Sequence, residues 1–185
     1  MNQKILTPRF ITLTTIIIAG AFMRLIPHWP NFTPIAAMAL FGGAYYGRKY
    51  LAFVIPMAAM FLSDMILGFH MDMMAVYLAF AFTVLIGWSI RNNISFGSVL
   101  TRSLLASVVF FLLTNFSSWL TMGLYPKNFT GLMEAYIAGL AFFNNGSYGV
   151  SFFLNEVFGS LFYNLAFFGA FYLAQIRFPA LARTN

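Results

Sequence analysis

The sequence YLAFVIPMAAMFLSDMILGF, residues 50–69, decides the class of fold. Asp64 is its one charged side chain, and nearly all the other residues are apolar or small. A run of about 20 mostly apolar residues is what an α-helix needs to cross the hydrocarbon core of a bilayer. We therefore predict a transmembrane helix here, preceded by the basic pair Arg48 and Lys49.

The composition of the whole chain agrees with this segment. Of 185 residues, 61% are hydrophobic and only 8% are charged, and the mean hydropathy is +0.83. Soluble domains carry about 25% charged residues, so this chain has too few to cover its surface in water. Soluble enzymes, disordered segments and, despite the net charge of +6, nucleic-acid binders are excluded. The chain is predicted to be a single all-α integral membrane domain, residues 1–185. Cysteine is absent, so there is no disulfide framework.

Apolar segments recur along the chain and predict a six-helix transmembrane bundle. The segments are residues 10–26, 34–46, 50–69, 72–90, 101–124 and 150–176. Between the last two lies a more polar outer loop, 125–149, in which residues 131–143 are compatible with a short interfacial helix. The first segment follows Lys4 and Arg9, as a signal peptide would, but no small-residue cleavage site follows it. We therefore expect a retained first helix.

The basic residues indicate the orientation of this bundle. One side of the six-span arrangement would hold Lys4, Arg9, Arg48, Lys49, Arg91, Arg102, Arg177 and Arg183. The other side would hold only Arg24 and Lys127. An excess of Lys and Arg marks the cytoplasmic side of a multi-pass protein. Both termini are therefore expected in the cytoplasm, with the 27–33 loop, the 70–72 turn and the 125–149 loop outside.

Small residues four positions apart predict where helices approach closely. Ala39, Gly43 and Gly47 follow this spacing in the second segment. The fourth segment repeats it with Ala75, Ala79, Thr83 and Gly87. Ridges of this kind let helix backbones pack against each other in lipid. They fit a compact monomer, and they also fit a dimer or a partner-docking face.

Four of the polar side chains inside the predicted spans can be compared by depth: Arg24, Asp64, Asn115 and Glu156. At about 1.5 Å of rise per residue, the first three lie roughly 21 Å from the inner side. Glu156 lies about 9 Å below the outer side, which is the same layer of a core about 30 Å thick. Charged groups within a span usually pair or serve a pathway. The layer is therefore either a buried ion-pair network, Arg24 with Asp64 or Glu156, or the floor of a pocket that opens outward.

Rings and amides follow on the outer side of this layer. The first outer loop carries His28 and Asn31, and the end of the fifth segment carries Trp119 and Tyr125. Stacking surfaces with a few directional polar groups are typical of sites for small organic ligands. An aromatic belt at the lipid headgroups would place the same residues here. We therefore keep both interpretations for the aromatic residues.

Motifs for chemistry are missing from the sequence. The segment His70-Met71-Asp72-Met73-Met74 offers copper(I) ligands by residue type. Three adjacent positions at the start of a helix cannot all face one ion, so the pattern favours His70 and Asp72 as caps of a turn. We find no phosphate-binding loop, zinc motif or nucleophile elbow. The expectation is a protein without catalytic residues, cofactor or bound metal.

Three stretches resemble a group of small bacterial membrane proteins that are grouped with the S-components of energy-coupling factor (ECF) transporters. The first runs from Arg24 to Gly47, RLIPHWPNFTPIAAMALFGGAYYG. The others are SDMILGFH, residues 63–70, and LTNFSSW, residues 113–119. Tyr125-Pro126 followed by Gly131-Leu132 is similar as well. Together they cover roughly residues 22–170.

The resemblance implies a six-helix S-component fold in the bacterial inner membrane, with both termini inside and the ligand site facing outward. Such proteins capture a vitamin, a cofactor precursor or a transition-metal ion. They deliver it to a module of one membrane coupling protein and two ATPases. Arg24 and His28 would then meet an anionic or polar ligand group. Asn31, Asp64, Asn115 and Glu156 would supply further polar contacts, and Trp119 with Tyr125 a ring face. The alternative is a non-transporting membrane scaffold.

Overall fold

The computed structural model describes residues 6–141 and 151–182, and over these residues the fold is entirely helical. Seven α-helices follow one another: α1 (Pro8–Met23), α2 (Ile35–Tyr45), α3 (Lys49–Leu67), α4 (Met73–Ser89), α5 (Phe96–Thr121), α6 (Phe129–Ala141) and α7 (Phe152–Arg177). A short 3₁₀ turn, Pro179–Leu181, follows α7. The all-α prediction is confirmed for this part of the chain.

Three of the helices are long and apolar enough to cross a membrane: α3, α5 and α7. The apolar helices α1, α2 and α4 are shorter. Each of the six predicted segments overlaps one helix, with ends that differ by up to five residues. The seventh, α6, lies in the predicted outer loop and overlaps residues 131–143, which the sequence shows to be compatible with a short helix. Residues 142–150 of this region, like Lys4 and Arg183, lie outside the described residues.

Helix α2 forms the centre of the bundle. Ten of its eleven residues are buried, and it contacts α1, α3, α4, α5 and α7. It carries almost no polar side chain, so it can be surrounded by protein on all sides without leaving a hydrogen-bonding group unpaired. Phe41 packs edge-on against Phe167, Phe168 and Phe171 of α7. This aromatic cluster fixes α7 against the central helix.

Local sequence explains the helix boundaries. Thr7 caps α1 by accepting a hydrogen bond from the Phe10 amide, and Pro8 occupies the first helical turn, where its missing N–H costs nothing. Ser95 and Ser98 form a reciprocal capping box at the start of α5. Helix α3 ends at Gly68, which has φ of +93°, a conformation that glycine adopts without steric cost. These signals set the turns that bring the helix ends together.

Candidate functional site

A cavity of about 280 Å³ lies at the end of the bundle where α1, α3 and α5 end and α2, α4 and α7 begin. We call it the polar cavity. Its polar lining includes Arg24, Asn31, His70, Asp72, Asn115 and Glu156, with hydroxyl and apolar side chains between them. Four of the eight residues predicted as ligand contacts therefore meet around one space, and they come from α5, α7, the end of α1 and the first interhelical loop.

Arg24 lies at the end of α1, and its guanidinium is held by α3. Its Nη2 donates to Asp64 Oδ1 at 2.6 Å, and its Nη1 donates to the Met60 carbonyl oxygen at 3.2 Å and to Ser63 Oγ. Both charged residues are buried. Of the two partners that the sequence allowed for Arg24, the structure selects Asp64.

The second oxygen of Asp64 also has a partner. Tyr77 of α4 donates its hydroxyl to Asp64 Oδ2 at 2.8 Å. Asp64 itself does not line the polar cavity among the described residues, although it fixes the arginine that does. The pair therefore joins α1, α3 and α4 behind the cavity wall. Hydrogen bonds of this kind, in which a partner is charged, are stronger than those between neutral groups, and they are directional.

Asp72 lies at the N-cap position of α4, in the turn that the sequence predicted it to cap. Its side chain makes no capping hydrogen bond. Its carboxylate instead accepts hydrogen bonds from α5: from Ser117 Oγ at 2.8 Å and Thr121 Oγ1 at 3.1 Å, with Ser118 Oγ at 3.5 Å. The hydroxyl cluster near the end of α5 was the signal in the sequence for this contact.

Glu156 lies in the first turns of α7 and is only 2% exposed. Ser107 of α5 donates to Glu156 Oε1 at the long distance of 3.5 Å. Among the described residues no arginine, lysine or histidine forms an ion pair with it, because the Arg24–Asp64 bridge is the one salt bridge found there. Within the described part of the chain, Glu156 is thus a buried carboxyl group without a cationic partner, at the edge of a cavity.

The first interhelical loop closes the cavity on the α7 side. Asn155 donates its Nδ2 to the Pro30 carbonyl oxygen at 2.9 Å, and Asn31 donates to the Phe152 carbonyl oxygen at 3.4 Å. Asn31 has φ of +63°, a left-handed conformation that asparagine tolerates better than most residues. The bonds hold the loop over the start of α7, so Asn31 lies on the cavity wall.

Asn115 and the hydroxyls of α5 form another wall. Asn115 donates its Nδ2 to the Phe111 carbonyl oxygen at 2.9 Å within its own helix. Thr114 and Ser118, four residues apart and therefore on one helix face, line the cavity beside it. Helix α6 packs behind, since a Cβ atom on Gly139 would overlap the side-chain oxygen of Asn115.

Three predicted ligand contacts, His28, Trp119 and Tyr125, are not among the described lining residues. His28 is exposed, and its Nδ1 lies 2.7 Å from the Ile26 carbonyl oxygen. Trp119 donates its Nε1 to the Pro126 carbonyl oxygen at 2.9 Å. His28 and Trp119 therefore make contacts with nearby backbone outside the cavity. His70, for which no such role was predicted, does line the cavity.

A larger cavity, about 610 Å³, lies at the opposite end of the bundle and is lined in part by Arg9 and Arg91. Arg9 donates to the Leu181 carbonyl oxygen at 2.5 Å and lies 5.2 Å from the ring centre of Phe171. Arg91 lies 4.1 Å above the ring of Trp88. Each cation already contacts a carbonyl oxygen or a ring face. The polar cavity, with its buried carboxyl group, is therefore the stronger candidate.

The described residues thus form a helical bundle around a polar cavity, with three helices that can cross a membrane by length and composition. Helices of this length and composition are typical of a membrane protein. The chain belongs to the DUF6580 family, a family of unknown function, whose model matches residues 4–181. No curated protein and no solved structure is significantly similar to the chain.

Proposed function

We propose that this protein is the substrate-binding membrane component of an ECF-type uptake transporter. It captures a small solute in the polar cavity, which opens to the outside of the bacterial inner membrane. The observation that carries the proposal is the convergence of Arg24, Asn115 and Glu156, from three apolar elements, on one cavity. Polar groups inside a membrane bundle cost free energy, and they usually lie on a transport pathway or in a ligand site.

The proposal includes a topology of six spans, α1 to α5 and α7, with both termini in the cytoplasm. The distribution of basic residues supports it, because Arg48, Arg91 and Arg177 lie at one end of the bundle while the polar cavity lies at the other. The short helix α2 is compatible with a span because its neighbours bury it on all sides. Helix α6 then lies on the outer side beside Asn115.

Cysteine labelling tests this topology, because the natural chain contains no cysteine. We expect Lys127→Cys, between α5 and α6, to react with a membrane-impermeant maleimide in spheroplasts. Asn93→Cys, between α4 and α5, and Gly47→Cys, between α2 and α3, should react only after permeabilisation. Labelling of Gly47→Cys from outside would contradict a spanning α2. Labelling of Asn93→Cys from outside, in place of Lys127→Cys, would show that the orientation is the reverse of the one proposed.

Native mass spectrometry of gently purified protein tests the binding function. We expect a small molecule to remain bound to the natural chain and to be absent from Thr114→Trp, because an indole at this position fills much of the cavity. Thr101→Trp is the matched control, because Thr101 lies on the same helix, is exposed, and is not among the residues that line the cavity. A molecule retained by Thr114→Trp would place the site elsewhere.

A second function, a non-transporting membrane scaffold, is favoured by one observation. The guanidinium of Arg24 is bound by Met60, Ser63 and Asp64 of the protein itself, as in a purely structural ion pair. If the native mass remains that of the ligand-free protein after incubation with a panel of vitamins and metal ions, the scaffold function is supported. The ECF assignment is tested separately, by asking whether uptake of the identified solute requires a coupling protein and its ATPases.

A further inference from the structure

The charges around the polar cavity do not balance. Its titratable lining residues are Arg24, His70, Asp72 and Glu156. The positive charge of Arg24 is matched within the protein by Asp64, 2.6 Å away. Two carboxyl groups and one imidazole therefore remain to face whatever occupies the cavity. The two carboxyl groups favour a positively charged ligand.

Glu156 contributes most to this imbalance. It is 2% exposed, and its hydrogen bond from Ser107 is long, at 3.5 Å. The amide of the adjacent Asn155 does not serve it, since that amide donates to the Pro30 carbonyl oxygen. A buried carboxylate costs free energy when its hydrogen bond is long and no positive charge lies beside it. A cation bound beside Glu156 would offset this cost, whereas an anion would increase it.

Asp72 supplies the second negative group on a different wall. Its three contacts come from hydroxyl groups of α5, which stabilise a carboxylate without neutralising it. Among the described residues α4 and α7 do not contact each other, and both pack against α5. The carboxyl groups of Asp72 and Glu156 therefore stand on separate walls of the cavity.

The separation of these groups bears on the kind of cation. In the described part of the chain no three His, Cys, Asp or Glu side chains are grouped so as to hold a metal ion. The cavity volume of about 280 Å³ equals that of about nine water molecules in the liquid. A single-ring organic molecule fits this space. Phe110 and Phe152 add ring faces to the lining, and Asn115 adds an amide.

We infer that the solute captured in the polar cavity is a small organic cation, with an ammonium group or a positively charged ring nitrogen placed against Glu156. The inference rests on the proposed function, and it names the substrate class of the same site. Arg24 then serves to hold the wall through Asp64. It is not the group that attracts the ligand.

The test compares the natural chain with Glu156→Gln and with the matched control Glu134→Gln, which makes the same substitution at an exposed position on α6. The molecule carried through purification is released by denaturation and identified by mass spectrometry. In parallel, the Tm of the protein in phosphatidylcholine nanodiscs is measured with three probes that share one benzene ring. At neutral pH benzylamine is cationic, benzamide is neutral and benzoate is anionic. Asp72→Asn provides a second variant in case Glu156→Gln does not fold.

We expect the released molecule to contain a basic or permanently cationic nitrogen. Glu156→Gln should carry at least tenfold less of it, and Glu134→Gln as much as the natural chain. Of the three probes, benzylamine should raise the Tm most. An acidic or neutral molecule, or one that Glu156→Gln and Asp72→Asn both retain, would overturn the inference and leave the binding function intact. No released molecule and no response to any probe would overturn both.

Discussion

Arg24→Ala is expected to destabilise the protein by about 3 to 5 kcal/mol, the range for removing one partner of a buried ion pair. Asp64 would remain buried without the charge of Arg24, and the Tyr77 hydroxyl at 2.8 Å would be its one remaining side-chain donor among the described residues. For a chain of this size the loss corresponds to a decrease in Tm on the order of 10 °C. Thermal unfolding of the purified protein in nanodiscs measures it, and Arg177→Ala, at the exposed end of α7, is the control.

Removing both charges should restore most of the lost stability. The double variant Arg24→Met/Asp64→Leu removes both charges of this pair, and buried pairs can often be replaced by apolar side chains without net loss. A small deficit is expected, because Tyr77 loses its acceptor while Ser63 still donates to the Met60 carbonyl oxygen at 2.7 Å. A double variant no more stable than Arg24→Ala would show that the coupling between the two residues is not electrostatic.

The same double variant separates the roles that the pair can have in binding. If the solute is a cation held by Glu156, the stable double variant should still carry it, because the pair contributes no net charge to the cavity. If Arg24 itself holds an anionic group of the solute, as its position in the sequence suggested, the double variant should lose the solute while remaining folded.

Depth along the helices could be predicted from the sequence, whereas the contacts of each side chain could not. The rise per residue is fixed, so Arg24, Asn115 and Glu156 could be assigned to one layer before their neighbours were known. The structure brings all three to the polar cavity. Helix type was predictable for a similar reason, since long apolar runs leave few alternatives.

The neighbour that each side chain faces could not be predicted in the same way, because the packing of the helices against one another determines it. The sequence therefore left Asp64 and Glu156 as equal partners for Arg24, and the structure pairs Arg24 with Asp64. Asp72 shows the same limit. A carboxylate just before a helix is a common cap, yet the hydroxyls of Ser117 and Thr121 on the neighbouring α5 hold it instead.

Side chains in the loops and at the helix ends beside them were the least predictable. His28 and Trp119 have the chemistry of ligand contacts, but nearby carbonyl oxygens, those of Ile26 and Pro126, accept their hydrogen bonds. Backbone groups in loops lack the regular partners that helices provide, so they compete for side-chain donors. Residue type alone does not show which donor a loop will use.

Gly43→Ala is expected to be the other strongly destabilising change, at about 3 kcal/mol, the upper end of the range for overpacked sites. The small-residue ridges of α2 and α4 pack against each other at this point. A Cβ atom on Gly43 would overlap the Val84 carbonyl oxygen, and one on Gly87 would overlap the Leu40 carbonyl oxygen. Both obstacles are backbone atoms, which cannot turn aside as a flexible side chain would, so the two helices must separate.

Because α2 is the helix that most of the others contact, separating it from α4 should affect the whole bundle, the cavity included. Gly169→Ala on α7 is the matched control: a Cβ atom there meets nothing within 4 Å, and alanine favours a helix over glycine by up to about 1 kcal/mol. The Tm should therefore fall sharply for Gly43→Ala and stay level or rise for Gly169→Ala. Equal losses in the two variants would mean that helix–helix contact at Gly43 does not limit the stability of the fold.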